Sequence, residues 1–163
     1  MSSDRVVLLL ADACWIALAS LQRERPSQEG FETKEVLQRI QAEELTAYPR
    51  SSIYAHLHQH CVANAEPSSG KYRMFTRLPD GRLRLFRPGD YTHPKRHGKT
   101  HPEVEAVPAA YRELLDWYQQ VYAQGRSRSA DPVLAMRGVG KALWRGVDSD
   151  AYVAELREGW SGE

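Results

Sequence analysis

Apolar residues recur at a helical period near the start of the chain. Val6, Leu9, Leu10, Ala13, Ala17 and Leu21 form one stripe, and Leu8, Trp15 and Leu18 widen it. The pattern predicts a helix over about 4–23. A helix apolar on most sides is expected to be the central prop of a small domain. Residues 25–30 (Arg-Pro-Ser-Gln-Glu-Gly) read as a loop. Thr33 is the expected N-cap of a second helix, with Val36, Leu37, Ile40 and Leu45 on its buried face. A turn at 46–49 leads to a third helix over roughly 50–63. There Ile53, Leu57 and Cys61 stand at i, i+4 and i+8 and share one face. The opposite face carries Ser51, Ser52, Ala55, His58 and Gln59, with Tyr54 on the flank, directly after Arg50.

The period then changes. Residues 71–78 and 82–87 are strand-like and flank Pro79-Asp80-Gly81, a hairpin signal. Tyr72, Met74 and Thr76 alternate with Lys71, Arg73, Phe75 and Arg77; Leu83 and Leu85 alternate with Arg82, Arg84 and Phe86. One face is expected to pack while the other carries arginine. Residues 88–108 are rich in Pro, Gly, His and Lys and read as an extended basic loop or arm. Tyr111, Leu114, Leu115, Tyr118, Val121 and Tyr122 then form an amphipathic stripe, for packing on the first helix or pairing with a second copy. Residues 124–130 read as a flexible linker. Asp131-Pro132 opens a tail as N-cap and N1 proline. The tail's Leu134, Met136, Leu143, Trp144, Tyr152, Leu156 and Trp160 are too many apolar groups for so short a segment to bury alone.

Charge adds direction to this layout. The 163-residue chain carries a net +1. Residues 49–101 nevertheless hold ten Lys/Arg against three acids, a local +7, while 1–48 and 102–163 each stand at −3. All six histidines lie in the basic block. Such a block predicts a polyanion-binding surface, and the helix–turn–helix–hairpin order makes duplex DNA the expected polyanion. A composition of 42% hydrophobic and 26% charged residues describes a globular chain with no membrane partner. Two cysteines, Cys14 and Cys61, give no disulfide framework and fit a reducing cytoplasm. Asp12 interrupts the apolar stretch 6–21, so neither a membrane span nor a secretion signal is expected.

Two stretches resemble known proteins. Residues about 5–90 resemble a bacterial winged helix-turn-helix module, through Tyr48-Pro49-Arg50-Ser51-Ser52-Ile53-Tyr54, His60-Cys61-Val62-Ala63-Asn64, Lys71-Tyr72-Arg73-Met74 and Arg84-Leu85-Phe86-Arg87-Pro88-Gly89-Asp90. The segments from Asp131 to Trp144 and from Tyr152 to Trp160 resemble the C-terminal part of type II antitoxins. That resemblance implies a tail that wraps and inhibits a toxin, in several cases a PIN-domain ribonuclease. The N-terminal part departs from the small ribbon-helix-helix or AbrB-like domain usual in such antitoxins.

The expected fold is mainly α (α+β): a winged helix-turn-helix domain at 1–90 with a two-stranded basic wing, a basic loop at 91–107, an amphipathic packing or dimerisation helix at 108–123, a linker at 124–130 and an extended helical tail at 131–163. Arg50, Ser51, Ser52, Tyr54, His58 and Gln59 are the expected groove contacts. Lys71, Arg73, Arg77, Arg82 and Arg84 are the expected phosphate contacts. Leu134, Met136, Arg137, Lys141, Leu143, Trp144, Arg145, Tyr152, Leu156 and Trp160 are the expected partner contacts, with Arg137, Lys141 or Arg145 entering an acidic nuclease site. His56 and His60, or His93, His97 and His101, offer a zinc alternative, but no CxxC accompanies them and no metal or cofactor is expected. No phosphate loop or nucleophile elbow supports an enzyme. Asp12 lacks an identifiable carboxylate partner, and its plainer expectation is a helix-surface residue. The expected function is a cytoplasmic DNA-binding antitoxin and autoregulator, possible as a homodimer. The alternative is a DNA-binding accessory or specificity protein of a restriction or defence system.

Overall fold

The computed structural model describes residues 8–125. They belong to the first of two units into which the chain divides, 1–127 and 128–163. The expected tail contacts at 134–160 lie outside the described residues.

The described residues form four α-helices and a two-stranded antiparallel sheet, a mixed α+β architecture. Helix α1 spans Leu10–Glu24, and Trp15 at its middle is fully buried. It starts later than the apolar stripe suggested. Leu9 takes an extended backbone and stands exposed, while Leu8 packs on the core from outside the helix. The apolar spacing runs on past the first helical residue, so it could not mark this end.

Helix α2, Thr33–Ala42, buries Val36, Leu37 and Ile40 as expected. Its N-cap is Glu32, so Thr33 is its first helical residue. The Glu35 carboxylate accepts from the Glu32 N–H at 3.0 Å, the arrangement of a capping box. Helix α3, Arg50–Ala55, continues as a π-helical turn, His56–His60. The Cys61 N–H donates to the His56 carbonyl at 3.1 Å, five residues back. Ile53, Leu57 and Cys61 all point into the core.

Strands β1, Phe75–Arg77, and β2, Leu83–Leu85, pair in the register Phe75–Leu85, Thr76–Arg84 and Arg77–Leu83. Gly81 closes the connecting turn at φ +88, a conformation side-chain-bearing residues resist. Phe31, between α1 and α2, extends the sheet as a single bridge. It exchanges two 2.8 Å backbone hydrogen bonds with Leu83. Burial corrects the simple alternation. Met74 and Phe75 are both fully buried, as are Leu83 and Leu85, and Arg84 and Phe86 are buried too. The hairpin is covered on both faces, so period-2 reasoning assigned Phe75 to the wrong environment.

The 88–108 segment is a loop laid on the domain, not a free arm. Its backbone is stitched down by Arg73 N–H to the Lys99 carbonyl (2.9 Å), Gly98 N–H to the Lys71 carbonyl (3.0 Å) and His93 N–H to the Ala63 carbonyl (2.8 Å). A Cβ on Gly98 would come within 2.7 Å of the Lys71 carbonyl oxygen, so only glycine permits that approach. Short 3₁₀ turns at Val104–Ala106 and Ala109–Tyr111 lead into α4, Arg112–Trp117, continued by a π-helical turn, Tyr118–Tyr122. The amphipathic stripe packs on α1. Tyr118 meets Trp15 edge-on at 5.5 Å, and the Tyr118 and Tyr122 hydroxyls donate to the Phe86 and Leu85 carbonyls. Val121 alone of the stripe stands well exposed, at 60%. No helix among the described residues is long and apolar enough to cross a membrane.

Candidate nucleic-acid interface

The basic block divides into cations turned inward and cations facing solvent. Arg84 is the clearest correction to the expected phosphate contacts. Its guanidinium grips both oxygens of Asp90 at 2.7 and 2.8 Å, with side-chain exposures of only 7% and 1%. Thr76 Oγ1 and the Arg87 N–H also donate to Asp90. Burial pushes the Asp90 carboxyl up, yet these bonds hold it below the usual carboxylate range.

Arg96 is buried without a carboxylate. It donates to the carbonyls of Ala65, His60, Tyr72, Gln59 and Glu66, tying the end of the third helix to the loop beyond it. Lys99 places its ammonium 2.7 Å from Asp12 Oδ1, an ion pair without hydrogen-bond alignment. Asp12 is therefore a buried, paired group on α1 and not a surface residue. Nearby, burial and then Asp12 push the Cys14 thiol up to about 12, and burial raises Cys61 well above its ordinary value. Both thiols are protonated at neutral pH.

The outward side is built on α3. Arg50, Ser51 and Gln59 are exposed, and Ser52, Tyr54, Ala55 and His58 are half-buried. Their side chains form a ladder. The Arg50 guanidinium lies 5.7 Å from the Tyr54 ring centre, and Tyr54 stacks on His58 at 5.5 Å with the rings 8° apart. Arg77 of β1 closes the ladder. Its Nη2 lies 3.2 Å from His58 Nδ1 and donates to the His58 carbonyl at 2.6 Å. Burial and then the Arg77 charge lower the His58 pKa. Asn64, absent from the expected site, fixes Arg77 by a reciprocal pair of bonds to its N–H and C=O at 3.0 and 2.8 Å. An Asn just past a helix end gives only a turn signal, so its role was not visible in the sequence.

The remaining expected contacts lie apart from this ladder. Arg82 pairs with Asp80 and reaches the Gly30 carbonyl, beside the start of α2. Lys71 and Arg73 lie beside the 88–108 loop: Arg73 donates to the Gly98 carbonyl at 2.8 Å, and the Lys71 ammonium makes no ion pair among the described residues. The histidines have hydrogen-bonding roles. His56 Nδ1–H donates to the Ser52 carbonyl at 3.0 Å, and His60 Nδ1 accepts from the Gly70 N–H at 3.2 Å. Burial, then the charges of His56 and Arg96, lower the His60 pKa. His101 lies against Tyr118 and Gln119. Among the described residues no three His, Cys, Asp or Glu side chains are grouped to hold a metal ion.

No protein-family model, curated protein or solved structure matches this chain.

Proposed function

We propose that residues 1–90 act as a winged helix-turn-helix domain that binds duplex DNA, with α3 in the major groove and the β1–β2 hairpin as its wing. The supporting observation is the Arg77–His58 contact, which joins the turn end of the hairpin to the π-helical turn that continues α3. A ladder of small, polar and cationic side chains thereby becomes one continuous surface. The order α1, Phe31 bridge, α2, α3, β1, β2 agrees with that reading. Short side chains at Ser51, Ser52 and Ala55 permit close approach to base edges.

The electrostatic footprint is smaller than the charge count of the sequence. Arg84, Arg96 and Lys99 serve the interior, Arg82 and Lys95 pair with Asp80 and Glu66, and Arg87 lies over the Tyr122 ring, which leaves Arg50, Lys71, Arg73 and Arg77 as the principal phosphate-facing cations. Four such contacts correspond to a log–log salt slope of roughly −3 to −4.

The proposal extends to the tail through its sequence. In an antitoxin and autoregulator, residues 131–160 would neutralise a toxin while the domain binds the promoter. Two measurements test the whole. The full chain is titrated with duplex DNA at low salt, where saturable binding is expected and its absence rejects the domain reading. The tagged full chain and a copy truncated after Gln124 are then used to capture partners from native cells. A nuclease-like protein retained only by the full chain supports the antitoxin. Equal capture by both rejects it and favours an accessory role in a defence system.

A further inference from the structure

Resting on the DNA-binding reading, we propose that His58 reads a guanine edge as a hydrogen-bond donor, and that Arg77 is the positioning residue that fixes its tautomer. The argument begins with proton inventory. A guanidinium has donors and no acceptor. The ring nitrogen facing Arg77 Nη2 at 3.2 Å, Nδ1, must therefore offer a lone pair. A neutral imidazole has one acceptor and one donor, so the proton resides on Nε2. A positive charge beside Nδ1 also disfavours a second proton there, in keeping with the lowered His58 pKa. Tyr54, stacked 8° from parallel, sets the plane of the ring. The outcome is a half-buried imidazole of fixed plane and tautomer on the π-helical turn that continues α3, with Nε2–H as its second polar group.

A donor discriminates between bases in the major groove. Guanine presents two adjacent acceptors there, N7 and O6, whereas thymine presents one acceptor beside a methyl group, adenine one acceptor beside a donor, and cytosine an amino donor. Nε2–H is matched to guanine. Arg77, expected from the sequence to grip phosphate, also acts through His58 by way of its Nη2. The two roles separate experimentally. Loss of a phosphate contact weakens all sequences alike and lowers the salt slope by about one, while loss of a positioning contact erases preference at a single base pair.

The test has one arm without DNA and one with it. Long-range ¹H–¹⁵N correlation of the free, full-length protein at neutral pH reports the His58 tautomer. The proposal expects protonated Nε2 in the wild type and a tautomer mixture in Arg77→Met. A wild-type ring protonated at Nδ1, or at both nitrogens, overturns it whatever the DNA result. Selection from a randomised duplex library follows, using wild type, His58→Gln and Arg77→Met. Gln pairs with adenine through a donor and an acceptor. His58→Gln should therefore shift one position from guanine towards adenine, and Arg77→Met should lose about tenfold discrimination at that same position. Identical base profiles for wild type and His58→Gln overturn the proposal and leave DNA binding standing. Failure of the wild type to bind any duplex overturns the DNA-binding reading, and this inference with it.

Discussion

Arg84 and Arg77 sit on paired strands of one hairpin, yet the protein uses them in opposite ways. Arg84 faces a buried carboxylate that meets its fork with two oxygens, and it is sealed inside. Arg77 faces an imidazole and a helix-terminal carbonyl, and it stays at the surface beside exposed polar groups. The contrast extends across the basic block. Arg96 and Lys99 follow Arg84 inward, and Arg50 and Lys71 remain outside with Arg77. Local charge density therefore does not identify a ligand surface. The partner oxygens available within the fold decide which cations are left for one.

The comparison breaks most visibly at the buried end. Arg84→Met takes the guanidinium away from the buried Asp90 carboxylate, and the expected loss is about 3–5 kcal/mol by denaturant titration. Joint replacement with Asp90→Leu should recover much of that. A double variant no more stable than the single one would show that the pair is not the reason. Arg96→Met withdraws the donor from several carbonyls at once. With water reaching some of them, the expected loss is roughly 2–3 kcal/mol.

Acid sharpens the same contrast. The Asp90 pKa is lower in the folded chain than in the unfolded one. Its contribution is therefore present above the unfolded carboxylate value, about 3.9, and is lost as pH falls through the folded value. The stability gap between wild type and Asp90→Asn should be constant at neutral pH and close in strong acid. A gap unchanged down to pH 2 would contradict that. At the outer end, Arg50→Ala and Lys71→Ala should leave the unfolding midpoint nearly unmoved. Each should lower the salt slope of duplex binding by about one.

Much of the fold was legible, for identifiable reasons. The faces of α2 and α3 follow from Val36, Leu37 and Ile40 and from Ile53, Leu57 and Cys61, because one-sided burial imposes a helical period. The Asp80-Gly81 turn was visible because few residues tolerate φ near +88. The packing of 88–108 onto the domain was not visible. It is held by Arg96 on carbonyls, by Lys99 on Asp12 and by the close approach at Gly98, none of which leaves an apolar pattern. Phe75 was misplaced because residues of its hairpin are buried whichever face they take, which alternation along the strand does not reveal. Within the candidate site, Arg50, Tyr54 and His58 were legible from helical spacing. Their connection to Arg77 required the tertiary fold, as did the removal of Arg84.

The most direct test of the account is the salt dependence of duplex DNA binding by the full-length wild type and by the Arg50→Ala/Lys71→Ala double variant. The account predicts linear log–log plots, with a wild-type slope of roughly −3 to −4 reduced by about two in the variant. Equal slopes for the two proteins, or no duplex binding at low salt, would contradict it.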